Sequence, residues 1–271
     1  MLREYFRDAD KVLEEYPWDK WLIGEKVWLY ACCAASLDHN NQNTFECVFN
    51  WLKSHWQVFR PKSDQDHWQS ERIWDELIAL NTEFPQSRQL TLLSISCEDI
   101  PMLRECIERL TGIKKNALTP IMAISKFLHF YNPRLFPIFD GAFIRKQVLK
   151  IFTEEWSGFD FHYDLTQFKD NNEIRDYIKY IFWASSLLKK TDDQFAGVVS
   201  DFLKCQFIKE RDDIIASPRC DQLSVWLRGP EASNNLRTDR FDWCATMFEC
   251  IAIGASEIER QNPKAGIQPQ T

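Results

Sequence analysis

Residues 99–152 read DIPMLRECIERLTGIKKNALTPIMAISKFLHFYNPRLFPIFDGAFIRKQVLKIF. Glu98-Asp99-Ile100-Pro101 is a helix start, with acids and a proline in the first turn. The spacing carries this helix to about Leu110, and Thr111-Gly112 breaks it. A second helix is predicted over roughly 117–131. It must end before Asn132-Pro133, because a residue preceding proline is driven out of the helical region. The loop PRLFPIF, residues 133–139, then leads to Asp140, and a third helix runs from 142 to about 152.

The same 3.6-residue apolar period extends over the flanking sequence. Residues 2–15, 20–37, 44–59 and 66–81 each show apolar positions at i, i+3 and i+4. In the second of these, Trp21, Trp28, Ala31 and Ala35 could share one stripe. Further helices are predicted over 171–190, 193–212 and 238–258. QLTLLSIS, residues 89–96, is the one good strand candidate, and it is short. The tail QNPKAGIQPQT, residues 261–271, is polar and carries prolines, so disorder is expected there. With no internal repeat and no long linker, the expectation is an all-α protein. It forms one compact helical unit over 1–260, with at most a short strand.

Composition removes several classes of function. The chain has 271 residues, enough for a sizeable core, and only 8 of them are glycine. Neither the dinucleotide-binding G-x-G-x-x-G nor the phosphate-binding G-x-x-x-x-G-K-[ST] occurs, so nucleotide cofactors held in those ways are not expected. H-E-x-x-H and G-x-S-x-G are also missing. His39, His55, His67 and His162 have no partner at ligand spacing. The pairs Asp192-Asp193 and Asp212-Asp213 are adjacent and would diverge on a helix, so no metal site is expected. The nine cysteines, Cys32, Cys33, Cys47, Cys97, Cys106, Cys205, Cys220, Cys244 and Cys250, include no C-x-x-C pair. The first residues, MLREYFRDADKVLEEY, are charged and helical rather than an apolar leader. These features predict free thiols packed as small hydrophobes in a reducing, cytoplasmic setting. No apolar run reaches the ~18 residues a membrane span needs, so no membrane association is expected.

Charge is unevenly placed. The chain carries −7 overall, with 33 basic and 40 acidic residues. Residues 114–150 reverse the sign: Lys114, Lys115, Lys126, Arg134, Arg145, Lys146 and Lys150 face a single acid, Asp140. A polyanion would be attracted to this segment and repelled elsewhere, which orients binding. The plainer reading is a solvated helix face whose cations pair with acids from other helices. Asp140 itself stands at a helix N-cap, where its carboxylate can accept backbone N–H bonds. It could be a cap and nothing more. At the mouth of a basic cleft, a carboxylate can also activate water or stabilise an oxocarbenium-like sugar.

On these residues the segment resembles the helix-hairpin-helix DNA glycosylase superfamily. In that family a helix leads into a hairpin of the form L-P-G-[VI]-G, a second helix follows, and a loop ends in an aspartate at the next helix start. Here the order is Leu110-Thr111-Gly112-Ile113-Lys114-Lys115, a helix to 131, then Pro137-Ile138-Phe139-Asp140. Ser125-Lys126-Phe127-Leu128-His129-Phe130, continued by Asn132-Pro133 and Leu135-Phe136-Pro137, looks like the 8-oxoguanine-glycosylase-like branch. The likeness covers about a fifth of the chain.

The resemblance implies a two-lobed helical architecture with the hairpin and catalytic loop at 99–153. It implies a partner, double-stranded DNA carrying a modified base, and a monomeric enzyme. Asp140 matches the catalytic aspartate. Gly112, Ile113 and Lys114 match the hairpin that holds a DNA phosphate on backbone N–H groups, and donors at a helix entrance suit that task. Lys115, Lys126 and Arg145 join them as candidate DNA contacts. Two departures shape the expected chemistry. Bifunctional relatives carry a lysine just past the hairpin, where this chain has Asn116 or Met122 depending on the alignment chosen. The second hairpin glycine is replaced by Lys114. A monofunctional route is expected, with Asp140 supporting departure of the base and water attacking C1′. Lys114, Lys115 or Lys126 would be the substitutes if an amine nucleophile were used. The iron–sulfur cysteine pattern of some relatives is missing, so no cofactor is expected.

Such an enzyme must extrude its target base. Trp18, Trp21, Phe139 and Trp183 are candidate pocket aromatics, with core packing as the alternative. His129 reads as a packing residue rather than a base. Two other functions remain open: a non-catalytic helix-hairpin-helix DNA-binding module, and an all-α interaction protein. For an enzyme, the role would be base-excision repair or defence against phage with modified DNA.

Overall fold

The computed structural model describes residues 1–15, 23–38, 40–54, 70–111, 120–161, 172–191, 195, 197–206 and 243–262. Among them the protein is all-α, with no strand. The expected helix over 2–15 is two helices, α1 (Leu2–Arg7) and α2 (Ala9–Glu15). Asp8 between them leaves helical geometry, with φ −103° and ψ 43°. Its N–H still bonds Glu4 O, while its own carbonyl starts α2 by accepting from Lys11 and Val12 N–H. The break turns Leu2, Phe6, Ala9 and Val12 all into the core.

Helices α3 (Ile23–Asp38) and α4 (Gln42–Ser54) form an antiparallel pair. The turn between them uses Asn40 at φ 51°, a left-handed conformation that asparagine tolerates well. Asn41 then caps α4, its side chain accepting from Thr44 N–H at 3.2 Å. Helix α5 (Ser70–Glu83) follows. Trp21 and the side chains of Trp28, Ala31 and Ala35, the stripe expected on α3, lie outside the described residues.

The strand expected at 89–96 is an irregular loop. Thr91 and Ser94 close a turn, with Ser94 N–H donating to Thr91 O and Thr91 N–H to Ser94 Oγ. Among the described residues no second strand lies alongside, and a lone strand leaves its ladder unpaired. The apolar residues instead serve as pegs: Leu92 and Ile95 are buried. The backbone is held from outside, Leu92 N–H by Arg134 O, Leu92 O by the Ser185 hydroxyl and Ile95 O by Lys189.

Helix α6 (Ile100–Thr111) begins from a one-turn helix, Cys97–Asp99, with a reciprocal cap. The Ser96 side chain accepts from Glu98 N–H, and Asp99 accepts from Ser96 N–H at 2.8 Å. Helix α7 (Ile121–Tyr131) starts at Pro120, a few residues later than the spacing predicts. A π-helical segment, Gly141–Val148, continues into α8 (Leu149–Ile151), then come α9 (Thr153–Ser157), α10 (Asn172–Leu188) and α11 (Cys244–Gln261). Residues 197–206 are also helical.

Helices α7, α10 and α11 are the centre of the molecule. Each is buried over most of its length, and they share one contiguous apolar core with α1–α6. Tyr180, Trp183 and Phe248 meet edge to face or tilted, with centroids 5.7 to 6.1 Å apart. Burying an aromatic of this size removes roughly 1.5–3 kcal/mol of exposed apolar surface cost, so the cluster outweighs any single polar contact nearby. Trp183 is therefore a core residue, and so is Phe139, stacked on Tyr177 and tilted on Tyr180. Trp18 lies outside the described residues.

The eight described cysteines are all free thiols. Cys32, Cys33, Cys106, Cys244 and Cys250 are buried; burial pushes the Cys106 and Cys250 thiols up to about 12, so they pack as apolar groups. Cys97 and Cys205 are exposed and Cys47 is half-buried, unlike the expectation, because they sit on outer helix faces or turns. Cys220, His39, His55, His67, His162, the pairs Asp192-Asp193 and Asp212-Asp213, and residues 263–271 of the tail lie outside the described residues. Among those described, no helix is long and apolar enough to cross a membrane.

Candidate active site

The loop between α7 and the π-helical segment is built from its ends inward. At its start, Asn132 terminates α7, its N–H bonding Leu128 O. The buried Asn132 amide donates to Ser87 O at 2.7 Å and Leu90 O at 3.0 Å, and its oxygen accepts from Arg134 N–H. Pro133 O then accepts from Ala245 and Thr246 N–H, which are unpaired donors at the start of α11. One proline carbonyl thus ties the loop to the C-terminal helix.

Residues 136–139 are each gripped by a buried side chain. Phe136 O is 2.5 Å from His129 Nδ1. Pro137 O accepts from the Tyr177 hydroxyl at 3.0 Å. Ile138 N–H donates to Glu249 Oε1 at 2.6 Å. Phe139 N–H donates to Ser125 Oγ at 3.0 Å. The four side chains come from α7, α10, α11 and α7 again, and none is more than 2% exposed. Each bond satisfies a buried backbone group that has no secondary-structure partner, which would otherwise cost roughly 1–3 kcal/mol. The loop is irregular, yet one backbone group of each of residues 136–139 is paired.

Asp140 is delivered at its end. It is extended, φ −86° and ψ 162°, and caps the next helix. Oδ1 accepts from Phe143 N–H at 2.8 Å and Ile144 N–H at 3.0 Å. Both cap bonds use one oxygen, and among the described residues Oδ2 makes no hydrogen bond. The first turn is π-wound because Arg145 N–H reaches back to Asp140 O at 3.0 Å. A Cβ on Gly141 would meet nothing within 4 Å, so the backbone beside the carboxylate faces open space. Phe143, whose amide caps on Asp140, is one of the few large apolar side chains left exposed among the described residues.

Behind the carboxylate lies a small set of charges. Lys126, on α7, is half-buried and within electrostatic reach of both Asp140 and Lys26. Burial lowers its ammonium pKa from the usual lysine range, Asp140 opposes that shift, and Lys26 adds to it. Lys26 on α3 pairs with Glu249 on α11. Glu249 is buried, and desolvation raises its carboxyl; Lys26 and the Ile138 N–H work against the rise. His129 is fully buried against Tyr30, with ring centroids 4.6 Å apart. Burial, with Lys26 nearby, holds it well below the ordinary histidine value. It is therefore neutral. Its proton belongs on Nδ1, because the Phe136 carbonyl can only accept, leaving Nε2 to face the Thr246 hydroxyl at 3.3 Å. His129 is thus a packing residue that also anchors the loop.

The sequence-predicted residues divide three ways. Asp140 and Lys126 are brought together. Arg145 is exposed a little over one turn beyond Asp140, above the Phe139 ring at 5.6 Å and 3.7 Å from Glu173. Gly112, Ile113, Lys114 and Lys115 lie outside the described residues, as does Asn116. Of the remaining cations, Lys146 and Lys150 are exposed, and Arg134 is half-buried. Four supporting residues escaped the sequence reading: Lys26, Ser125, Tyr177 and Glu249. The one local hint was Glu249, a lone acid inside the apolar run CATMFECIAIG. Among the described residues no group of three or more His, Cys, Asp or Glu is placed to hold a metal.

No protein-family model, no curated protein and no solved structure matches this chain.

Proposed function

We propose that the protein is a DNA N-glycosylase of the helix-hairpin-helix kind, with Asp140 as the catalytic carboxylate. The observation that carries this reading is the delivery of Asp140. A half-exposed carboxylate follows four residues that each have one backbone group gripped by a buried side chain, with Lys126 within electrostatic reach and open space at Gly141. A group meant only to cap a helix gains nothing from a loop held at four consecutive residues. A group that must meet a reacting carbon within a few tenths of an ångström does.

In the proposed reaction a modified base is flipped out of the duplex. Its bond to C1′ breaks, the electron pair leaves with the base, and positive charge develops on the sugar. Asp140 stabilises that charge and takes a proton from the attacking water, whose oxygen bonds to C1′. That proton is handed on through solvent to the departed base anion, which restores the Asp140 carboxylate, so the products are an abasic site and the neutral free base. Gly112, Ile113, Lys114 and Lys115 would hold a phosphate, with Arg145 adding positive charge on the outer face. The two-lobed arrangement belongs to this reading, as do the repair and phage-defence roles.

The test is a base-excision screen. Duplexes carrying uracil, 8-oxoguanine, alkylated bases or hypermodified cytosines, and phage genomic DNA, are incubated with the wild type and with Asp140→Asn. Asparagine caps a helix about as well as aspartate, so that variant keeps the fold. Alkali-labile sites formed by the wild type and not by the variant support the proposal. DNA binding without such sites would favour a non-catalytic module. Breaks without alkali would point to a lysine nucleophile.

A further inference from the structure

The loop that carries Asp140 has one anchor unlike the others. His129, Ser125 and Tyr177 are neutral groups holding neutral backbone, whereas Glu249 brings a buried carboxylate. An acceptor for a single N–H does not need a charge. Serine serves the adjacent Phe139 amide. The charge requires Lys26, which reaches across from α3 to pair with the other carboxylate oxygen. Burying two charges costs desolvation that their attraction rarely exceeds, and an apolar pair of equal volume is commonly as stable. The pair is thus poorly explained by stability alone. Its position is informative: Glu249 Oε1 holds Ile138, two residues before Asp140, and also lies 3.3 Å from His129 Nδ1, the anchor of Phe136. One carboxylate therefore meets both the first and third grips of the loop. Lys26 pairs with the other oxygen and balances its charge.

We propose that Glu249 is a positioning residue for Asp140, acting through the Ile138 N–H. The inference rests on the glycosylase reading for its catalytic consequence, though not for its structural one. The carboxylate of Asp140 is aimed by its backbone, because both cap bonds come from its own first turn. Any freedom at Ile138 passes directly to the segment that sets where that turn begins. Glu249 does not reach the reacting atoms itself.

Two double variants of the full chain separate the acceptor from the charge. Lys26→Met with Glu249→Gln removes both charges and keeps an oxygen for Ile138. Lys26→Met with Glu249→Met removes the charges and the acceptor together. Both leave an uncharged, volume-matched pair, so both are expected to fold. Amide hydrogen exchange is read at Ile138 and Phe139, with Leu77 and Leu103 as distant controls. Loss of the acceptor is expected to speed exchange at Ile138 by about tenfold or more, with the controls unmoved, while the Gln-bearing variant stays near the wild type. The excision assay is run on the same proteins. The Met–Met variant should lose kcat by at least about tenfold with KM unchanged, and the Met–Gln variant should recover most of it. Equal exchange at Ile138 in the two variants overturns the proposal. Altered exchange with undiminished kcat also overturns it, leaving Glu249 a structural anchor. If the wild type excises no base from any duplex, the glycosylase reading fails, and the exchange comparison still decides whether Glu249 holds the loop.

Discussion

Ser125 and Phe139 are joined by a hydrogen bond, Phe139 N–H to Ser125 Oγ at 3.0 Å, that spans the loop from the middle of α7 to the residue before Asp140. The Ser125 hydroxyl hydrogen is directed to Met122 O, one turn back along its own helix, which leaves the oxygen lone pairs for Phe139. Replacing Ser125 by alanine strands a buried N–H. The expected cost is about 1–3 kcal/mol, seen as a lower urea midpoint with unchanged slope. Ser125→Thr retains the hydroxyl and should lose less.

Asp140 has two separable roles. Asp140→Ala removes the cap and should destabilise by about 1 kcal/mol, whereas Asp140→Asn should sit within a few tenths of the wild type. Base excision should be lost in both. Equal stability of the Ala and Asn variants by chemical denaturation would show that the cap bonds contribute nothing.

Tyr177→Phe removes one hydroxyl from beneath Pro137 and leaves the stacked ring. A loss of about 1 kcal/mol is expected, because the Pro137 carbonyl loses its donor in a fully buried place. Thermal unfolding of the two proteins measures it.

His129 makes stability depend on pH. The folded chain keeps it neutral, while the unfolded chain protonates it near pH ~6.5. Below that value the unfolded state binds more protons, so stability falls as the pH drops. Glu249 acts in the opposite sense at lower pH. Its carboxyl is raised in the folded state, which then takes up a proton before the unfolded one does. The loss should therefore be steepest just below pH ~6.5 and shallower toward ~4.5. Urea midpoints at pH 7.5 and 5.5 should differ in the wild type and differ less in His129→Gln; an unchanged difference would assign the effect to another group.

If DNA is the partner, its binding should weaken with salt. Neutralising Lys114 and Lys115 together should reduce the slope of log K against log salt by about 2, provided both meet phosphate. Fluorescence anisotropy on one duplex across a salt series gives that slope, and an unchanged value would remove both lysines from the contact.

Much of the molecule could be read along the chain, because helices announce themselves over a few residues. The 3.6-residue spacing of apolar side chains placed α5, α7 and α10 to within a few positions, while α11, expected over 238–258, runs Cys244–Gln261. Glu98-Asp99-Ile100-Pro101 signalled the start of α6, and Asn132-Pro133 signalled the end of α7, since first-turn acids and proline exclusion act locally. Asp140 was visible as a helix cap after a proline-bounded loop for the same reason. The strand expected at 89–96 failed because a short apolar stretch reports only which side chains are buried. Whether a partner strand exists is decided elsewhere in the chain, and here Leu92 and Ile95 are pegs in a helical core.

What the sequence could not contain in any local pattern is the set of grips on residues 136–139. Tyr177 lies 40 residues from Pro137, and Glu249 lies 111 residues from Ile138. A carboxylate in an apolar helix, a serine and a tyrosine carry no mark of which amide or carbonyl they will meet. Local chemistry decided that Asp140 would cap a helix. Only the packing of α3, α7, α10 and α11 around one irregular loop decided how rigidly that carboxylate would be held, because hydrogen-bond partners distant in the chain are chosen by the core that brings them together.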